Sequence, residues 1–144
     1  MDDRLKSHFD VLFGTLRDYQ VGFFSGAFTA TGFLILVIGW LLTSKEARTY
    51  LGRSGRARLV GTTVLGLGFV VYAVVSWRVF MLSQSAFNSL VGLNYLPLTA
   101  YADRRIETPT LFIFVAQNAL LTLVACYFML DTKAARGLHD RGVT

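Results

Sequence analysis

Gln117 and Asn118 stand side by side in the middle of TLFIFVAQNALLTLVACYFML, a run at residues 110–130 with no charged residue. If that run crosses a bilayer, two adjacent side-chain amides at its centre have two uses. They can hydrogen-bond to neighbouring helices, or they can line a path for polar cargo. Arg78, next to Trp77 near the end of another uncharged run, poses the same choice. It can snorkel to the headgroups along its aliphatic stem, or it can hold an anion or a lipid headgroup.

Covalent and redox chemistry have less to work with. No His, Asp or Glu lies within the long apolar runs. Haem ligation by histidine, a buried proton relay and a carboxylate metal site therefore cannot be assembled inside a membrane from this chain alone. The serines and threonines have no nearby histidine or acid to activate them. Cys126 is the single cysteine, so no intrachain disulfide or CxxC pair is possible, and its apolar neighbours make it a small packing residue. P-loop, GxGxxG and zinc spacings are absent. The chain is expected not to be an enzyme and to ligate no cofactor or metal by itself, although its Phe- and Tyr-rich surfaces could cradle lipid, quinone or pigment tails.

The elements that must position these residues follow from where the charges fall. Only 16% of the 144 residues are charged, against about a quarter in an ordinary soluble domain. None lies between Asp18 and Lys45, between Arg58 and Arg78, or between Glu107 and Asp131. Each gap suffices for a helix crossing about 30 Å of hydrocarbon. A soluble bundle would need polar faces on these helices, and they are nearly absent. The expectation is an all-α integral membrane protein with three transmembrane helices, at 21–43, 59–82 and 110–131, preceded by an amphipathic interfacial helix at 1–20. In that first segment Leu5, Phe9, Leu12, Phe13 and Leu16 recur on one helical face. The acidic start and the length of the first apolar run do not fit a signal peptide, so the first span is expected to stay in the mature protein.

Small residues mark the faces on which the spans pack. Gly22, Gly26 and Ala30 repeat every fourth residue, and Gly61 and Gly68 share a face of the second span. With Gln117 and Asn118 these are the expected helix-packing residues. Thr43 and Glu46 have capping-box spacing for a short helix ending at Gly52, Ser54 can cap the second span, and Pro109 suits the first turn of the third. The tail at 132–144 is expected to prolong the third helix to Arg136 and to stop at Gly137. No internal repeat is visible.

The connector at 44–58 carries Lys45, Arg48, Arg53, Arg56 and Arg58 against Glu46. In a soluble chain a net charge of +5 would raise nucleic-acid binding; beside a span, the positive-inside bias and anionic lipid explain it, and no nucleic-acid partner is expected. With three spans, the connector and the tail share one side with eight Lys and Arg against six; a fourth span at 86–102 would divide them seven and seven. The three-span arrangement puts the N-terminus outside and the C-terminus in the cytoplasm of a bacterial-type inner membrane, with His8 and His139 on opposite sides. Residues 83–109 then form an outer interfacial loop, either a lid or a docking surface, with a re-entrant segment as a third possibility. Arg53, Arg56, Arg58, Arg78, Tyr95, Tyr101, Arg104 and Arg105 are the expected contacts to lipid headgroups or partners.

The function these features point to is that of a non-catalytic accessory or structural subunit of a larger membrane complex of electron-transfer, photosynthetic or transport type, with lipids and other integral membrane subunits as partners. The alternative is a small homo-oligomeric channel or transporter with Gln117, Asn118 and Arg78 around its pore. A third reading is a surface regulator that reads lipid through Arg53, Arg56 and Arg58.

Overall fold

The computed structural model describes residues 3–97 and 100–131. Every regular element among them is helical: α1 (Asp3–Thr43), α2 (Lys45–Arg53), α3 (Gly55–Leu93) and α4 (Thr108–Leu130), with one turn of 3₁₀ helix at Ala102–Arg104. Three helical stretches, Asp3–Thr43, Gly55–Leu93 and Ala102–Leu130, are long and apolar enough to cross a membrane.

Two of these helices outrun the lengths read from the sequence. The amphipathic segment and the first apolar run form one uninterrupted helix, α1, of 41 residues. At 1.5 Å per residue it is about 60 Å long. Neither proline nor a cap separates the two halves, so nothing stops the helix between Asp18 and Gly22. Helix α3 likewise passes Leu82 and runs to Leu93. The expected loop at 83–109 is therefore shorter: residues 83–93 belong to α3, and so does the first half of the 86–102 segment for which a fourth span or a re-entrant segment was the alternative. The stretch SQSAFNSLVGL contains no proline, and its Phe87 and Leu90 are buried, which holds those turns in the helix. Asn94 ends α3 in the left-handed region (φ 48°), the backbone state that terminates many helices and that asparagine tolerates better than most residues.

The helix joints follow their capping chemistry, with one change. Ser44, not Thr43, caps α2: its Oγ accepts from the Ala47 N–H at 3.1 Å. The Thr43 hydroxyl instead donates back to the Gly39 carbonyl. Helix α2 runs to Arg53, one residue beyond Gly52. Ser54 Oγ accepts from the Ala57 N–H at 3.2 Å and starts α3, so the connector expected at 44–58 is largely helical. Pro109 lies in the first turn of α4, where its missing N–H leaves no bond unmade. Helix α4 ends at Leu130; the expected continuation to Arg136, the stop at Gly137 and His139 all lie outside the described residues.

The chain divides into two compact units, each drawing on α1, α3 and α4. In the unit built from residues 1–27 and 74–114, Phe9 and Leu16 are buried against Ala86, Phe87, Leu90 and Tyr101, with Leu12 and Phe13 packed alongside. The apolar face of the N-terminal segment thus meets protein, where the sequence reading had assigned it to the membrane interface. In the unit built from 28–73 and 115–144, Leu34, Leu41 and Leu51 pack with Leu65, Ala125, Phe128 and Met129. Buried positions recur at sevens along each helix: Phe9, Leu16 and Phe23; Ser76, Ser83 and Leu90; Leu111, Asn118 and Ala125. A seven-residue period is that of left-handed, knobs-into-holes packing.

Candidate functional site

The centre of the second unit is polar. Asn118 is 1% exposed, and its amide joins three helices. The Thr31 hydroxyl of α1 donates to Asn118 Oδ1 at 3.2 Å. Asn118 Nδ2 donates to the Tyr72 hydroxyl oxygen of α3 at 3.3 Å. Gln117 Nε2 donates to Thr31 Oγ1 at 3.4 Å. The hydroxyl of buried Thr122 is turned back onto the Asn118 carbonyl at 2.8 Å. The donors thus run in one direction, Gln117 to Thr31 to Asn118 to Tyr72. An amide that accepts at its oxygen is polarised and donates more strongly from its nitrogen, so each link strengthens the next.

Beside this chain of bonds lies a half-open cavity of about 210 Å³. Ala30 and Phe33 of α1 and Gly68 and Phe69 of α3 supply apolar wall, and Tyr72 and Thr122 supply its polar groups. Ala30 and Gly68, expected as packing residues, therefore border a cavity. Among the described residues, no group of three or more His, Cys, Asp or Glu side chains converges to hold a metal.

The remaining expected packing residues divide. Gly61 packs against the Met129 side chain of α4: a Cβ there would stand 2.9 Å from Met129 Sδ. Gly22 and Gly26 are exposed, and a Cβ on either would meet nothing within 4 Å. Among the described residues they mediate no helix packing. The seam on α1 is occupied by their neighbours Phe23 and Ala27, and one residue along a helix turns a side chain by about 100°.

The expected headgroup contacts are also redistributed. Tyr101 is 2% exposed, its ring set edge-on to Phe9 and Phe87 at centroid distances of 6.2 and 6.0 Å. It is a core residue, not an interfacial anchor, because the 3₁₀ turn after it folds back over the apolar faces of α1 and α3. Tyr95 is half-buried against the Phe9 ring at 5.0 Å. Arg105 donates from Nε to Gln84 Oε1 at 3.0 Å and lies over the Phe87 ring. Gln84 Nε2 donates in turn to the Ile106 carbonyl, and Gln20 Nε2 to the Asp103 carbonyl, so side-chain amides clip the 94–107 connector to α3 and α1. Arg53, Arg56, Arg78 and Arg104 are exposed. Arg58 donates to the Leu130 carbonyl at the end of α4.

Sequence reasoning missed Arg48. It is 6% exposed, and its Nη1 donates to the Leu41 and Leu42 carbonyls in the last turn of α1. Those carbonyls have no partner further along the helix and carry the negative end of its dipole, so a cation there satisfies both. Two of the five basic connector residues thus cap the C-terminal ends of α1 and α4. Replacing Arg48 with Ala is expected to lower stability by about 1.5–3 kcal/mol, the range for hydrogen bonds to a charged donor. Replacing the exposed Arg53 or Arg56 should change it by less than about 0.5 kcal/mol. Thermal unfolding in detergent, followed by helical circular dichroism, checks the contrast. Thr31 and Tyr72 were missed too. A signal existed for Tyr72, a phenol well inside an uncharged run, away from the run's ends where tyrosine usually settles.

Comparison with protein families, with curated proteins and with solved structures returns no match.

Proposed function

We propose that this chain is an integral membrane protein that serves as a non-catalytic accessory subunit of a larger membrane complex. Membrane residence is supported by how little of the apolar stretches the chain covers for itself. Only 17%, 11% and 28% of their most apolar windows are buried, and Leu36, Leu59 and Leu123 are each at least two-thirds exposed. Water would penalise that surface at about 25 cal/mol per Å², and hydrocarbon does not. The positive charge of the connector supports a cytoplasmic side for it and an outside N-terminus, in a membrane of bacterial inner type.

The observation that carries the subunit reading is the outward face of α1. A glycine inside a helix costs about 0.5–1 kcal/mol relative to alanine. Gly22 and Gly26, with exposed Ser25 and Thr29 beside them, give no close packing in return among the described residues. Facing a helix of another subunit, the same groove allows backbones to approach closely, which is how spans associate where no hydrophobic drive exists between them. The channel reading needs Asn118 on a shared axis, and Asn118 is bonded inside the protomer instead.

The test is affinity purification of the tagged chain in mild detergent, with quantitative mass spectrometry of what it retains. Stoichiometric foreign membrane proteins are expected with the wild type. They should be lost when Gly22 and Gly26 are both replaced by Leu, with thermal stability unchanged because the new side chains meet open space. Recovery of only a single chain, or of copies of it alone, would sink the proposal.

A further inference from the structure

We propose that the cavity between α1 and α3 in the second unit binds a lipid-soluble ring bearing a carbonyl oxygen, held by a hydrogen bond from the Tyr72 hydroxyl. The inference rests on the membrane reading above but not on the accessory-subunit reading. The hydroxyl oxygen of Tyr72 accepts from Asn118, and among the described residues its own proton is donated to no acceptor. That proton ends the one-way run of donors from Gln117, so the polarisation of the whole series accumulates on it. Tyr72 lines the cavity together with Phe33, Phe69 and Gly68. The other hydroxyl on the wall, Thr122, has already spent its proton on the Asn118 carbonyl. The cavity therefore offers a single strong donor in an apolar setting, and a carbonyl is the matching group because it only accepts. An alcohol would bring a second proton needing an acceptor of its own.

Size and depth narrow the class. An apolar cavity of about 150 Å³ holds benzene, so about 210 Å³ takes a substituted six-membered ring and falls short of the ~300–1,000 Å³ of drug-sized sites. Phe33 and Phe69 give flat walls against which a ring can stack or stand edge-on. Gly68 leaves the space open, since a Cβ there would meet nothing within 4 Å. Along α3, Tyr72 lies six residues from Arg78 and fourteen from Arg58, about 9 and 21 Å at the helical rise, which puts it inside the uncharged run and away from both charged ends. The ester carbonyls of phospholipids lie at the edge of the hydrocarbon layer. The acceptor must belong to a molecule that dissolves in the membrane interior, of quinone or cyclic-ketone type, and the half-open mouth lets its tail trail into the lipid.

The experiment uses the full chain in lipid nanodiscs and a benzoquinone carrying a decyl tail as the probe, with decylbenzene as the carbonyl-free control. Saturable binding of one probe per chain is expected, with a bound carbonyl stretch at lower infrared frequency than in lipid alone. Tyr72→Phe keeps the ring and removes the donor: affinity should fall roughly tenfold, the worth of one hydrogen bond of about 1.4 kcal/mol, and the frequency shift should vanish. Gly68→Leu should abolish binding by filling the cavity. Equal binding of decylbenzene, or an unchanged carbonyl band in Tyr72→Phe, would overturn the assignment, as would absence of saturable binding by the helical, nanodisc-held protein. Failure of the membrane reading would show separately, as release of the chain from membranes by alkaline carbonate without detergent.

Discussion

Tyr101→Ala should destabilise the first unit by about 3–5 kcal/mol, the cost of emptying a core position of an aromatic ring. Tyr101 is 2% exposed and joins Phe9 of α1 to Phe87 of α3 through edge-on ring contacts. Its removal leaves a void between elements far apart in the chain, and helices cannot close such a void without shifting. Tyr101→Phe should cost less than about 1.5 kcal/mol, because the hydroxyl makes only one long bond, 3.4 Å to the Leu96 carbonyl. Denaturation in detergent followed by circular dichroism gives both values, and limited proteolysis of residues 94–107 should speed up only in the Ala variant. An interfacial tyrosine would give the opposite pattern. Neither variant would then unfold more easily, and only lipid partition would respond.

Asn118→Asp is the second large effect. The amide serves as acceptor from Thr31 and donor to Tyr72 at once, through its oxygen and its nitrogen respectively. An aspartate keeps the shape but loses the donor. A carboxylate at the centre of a span costs about 2.5–3.5 kcal/mol on insertion scales, so the variant should insert poorly and unfold early. Asn118→Leu removes the amide without adding charge and should cost below about 2 kcal/mol, as interhelical hydrogen bonds in membranes usually do. The check is the order of the two in a denaturation series, alongside ion flux in vesicles. If Asn118 packs helices together, Asp is worse than Leu and neither alters permeability. Flux that falls with Leu would return the residue to a pore.

The chemistry-bearing amides were legible before any fold, because Gln117 and Asn118 break an otherwise apolar run. What they bond to was not, since Thr31 and Tyr72 lie 87 and 46 residues from Asn118. The basic connector was legible as charge, but the roles of Arg48 and Arg58 as caps depend on which helix ends lie within reach.

By itself, the sequence determined the number of long apolar helices and part of the joints between them. Uncharged runs of sufficient length, Ser54 as a cap and Pro109 as a starter all act over a few residues, and local physics reads them directly. The cap of α2 is the exception: the spacing points one residue early, to Thr43, where Ser44 makes the bond. The tertiary structure alone decided which side of each uncharged run is the inside, and how far α3 runs. On helices apolar all round, hydrophobic contrast cannot mark a face. Ser76, Ser83 and Asn118 are buried while Leu36, Leu59 and Leu123 face out. Fit along a seven-residue seam chooses the interior, and fit is a property of two helices, not of one.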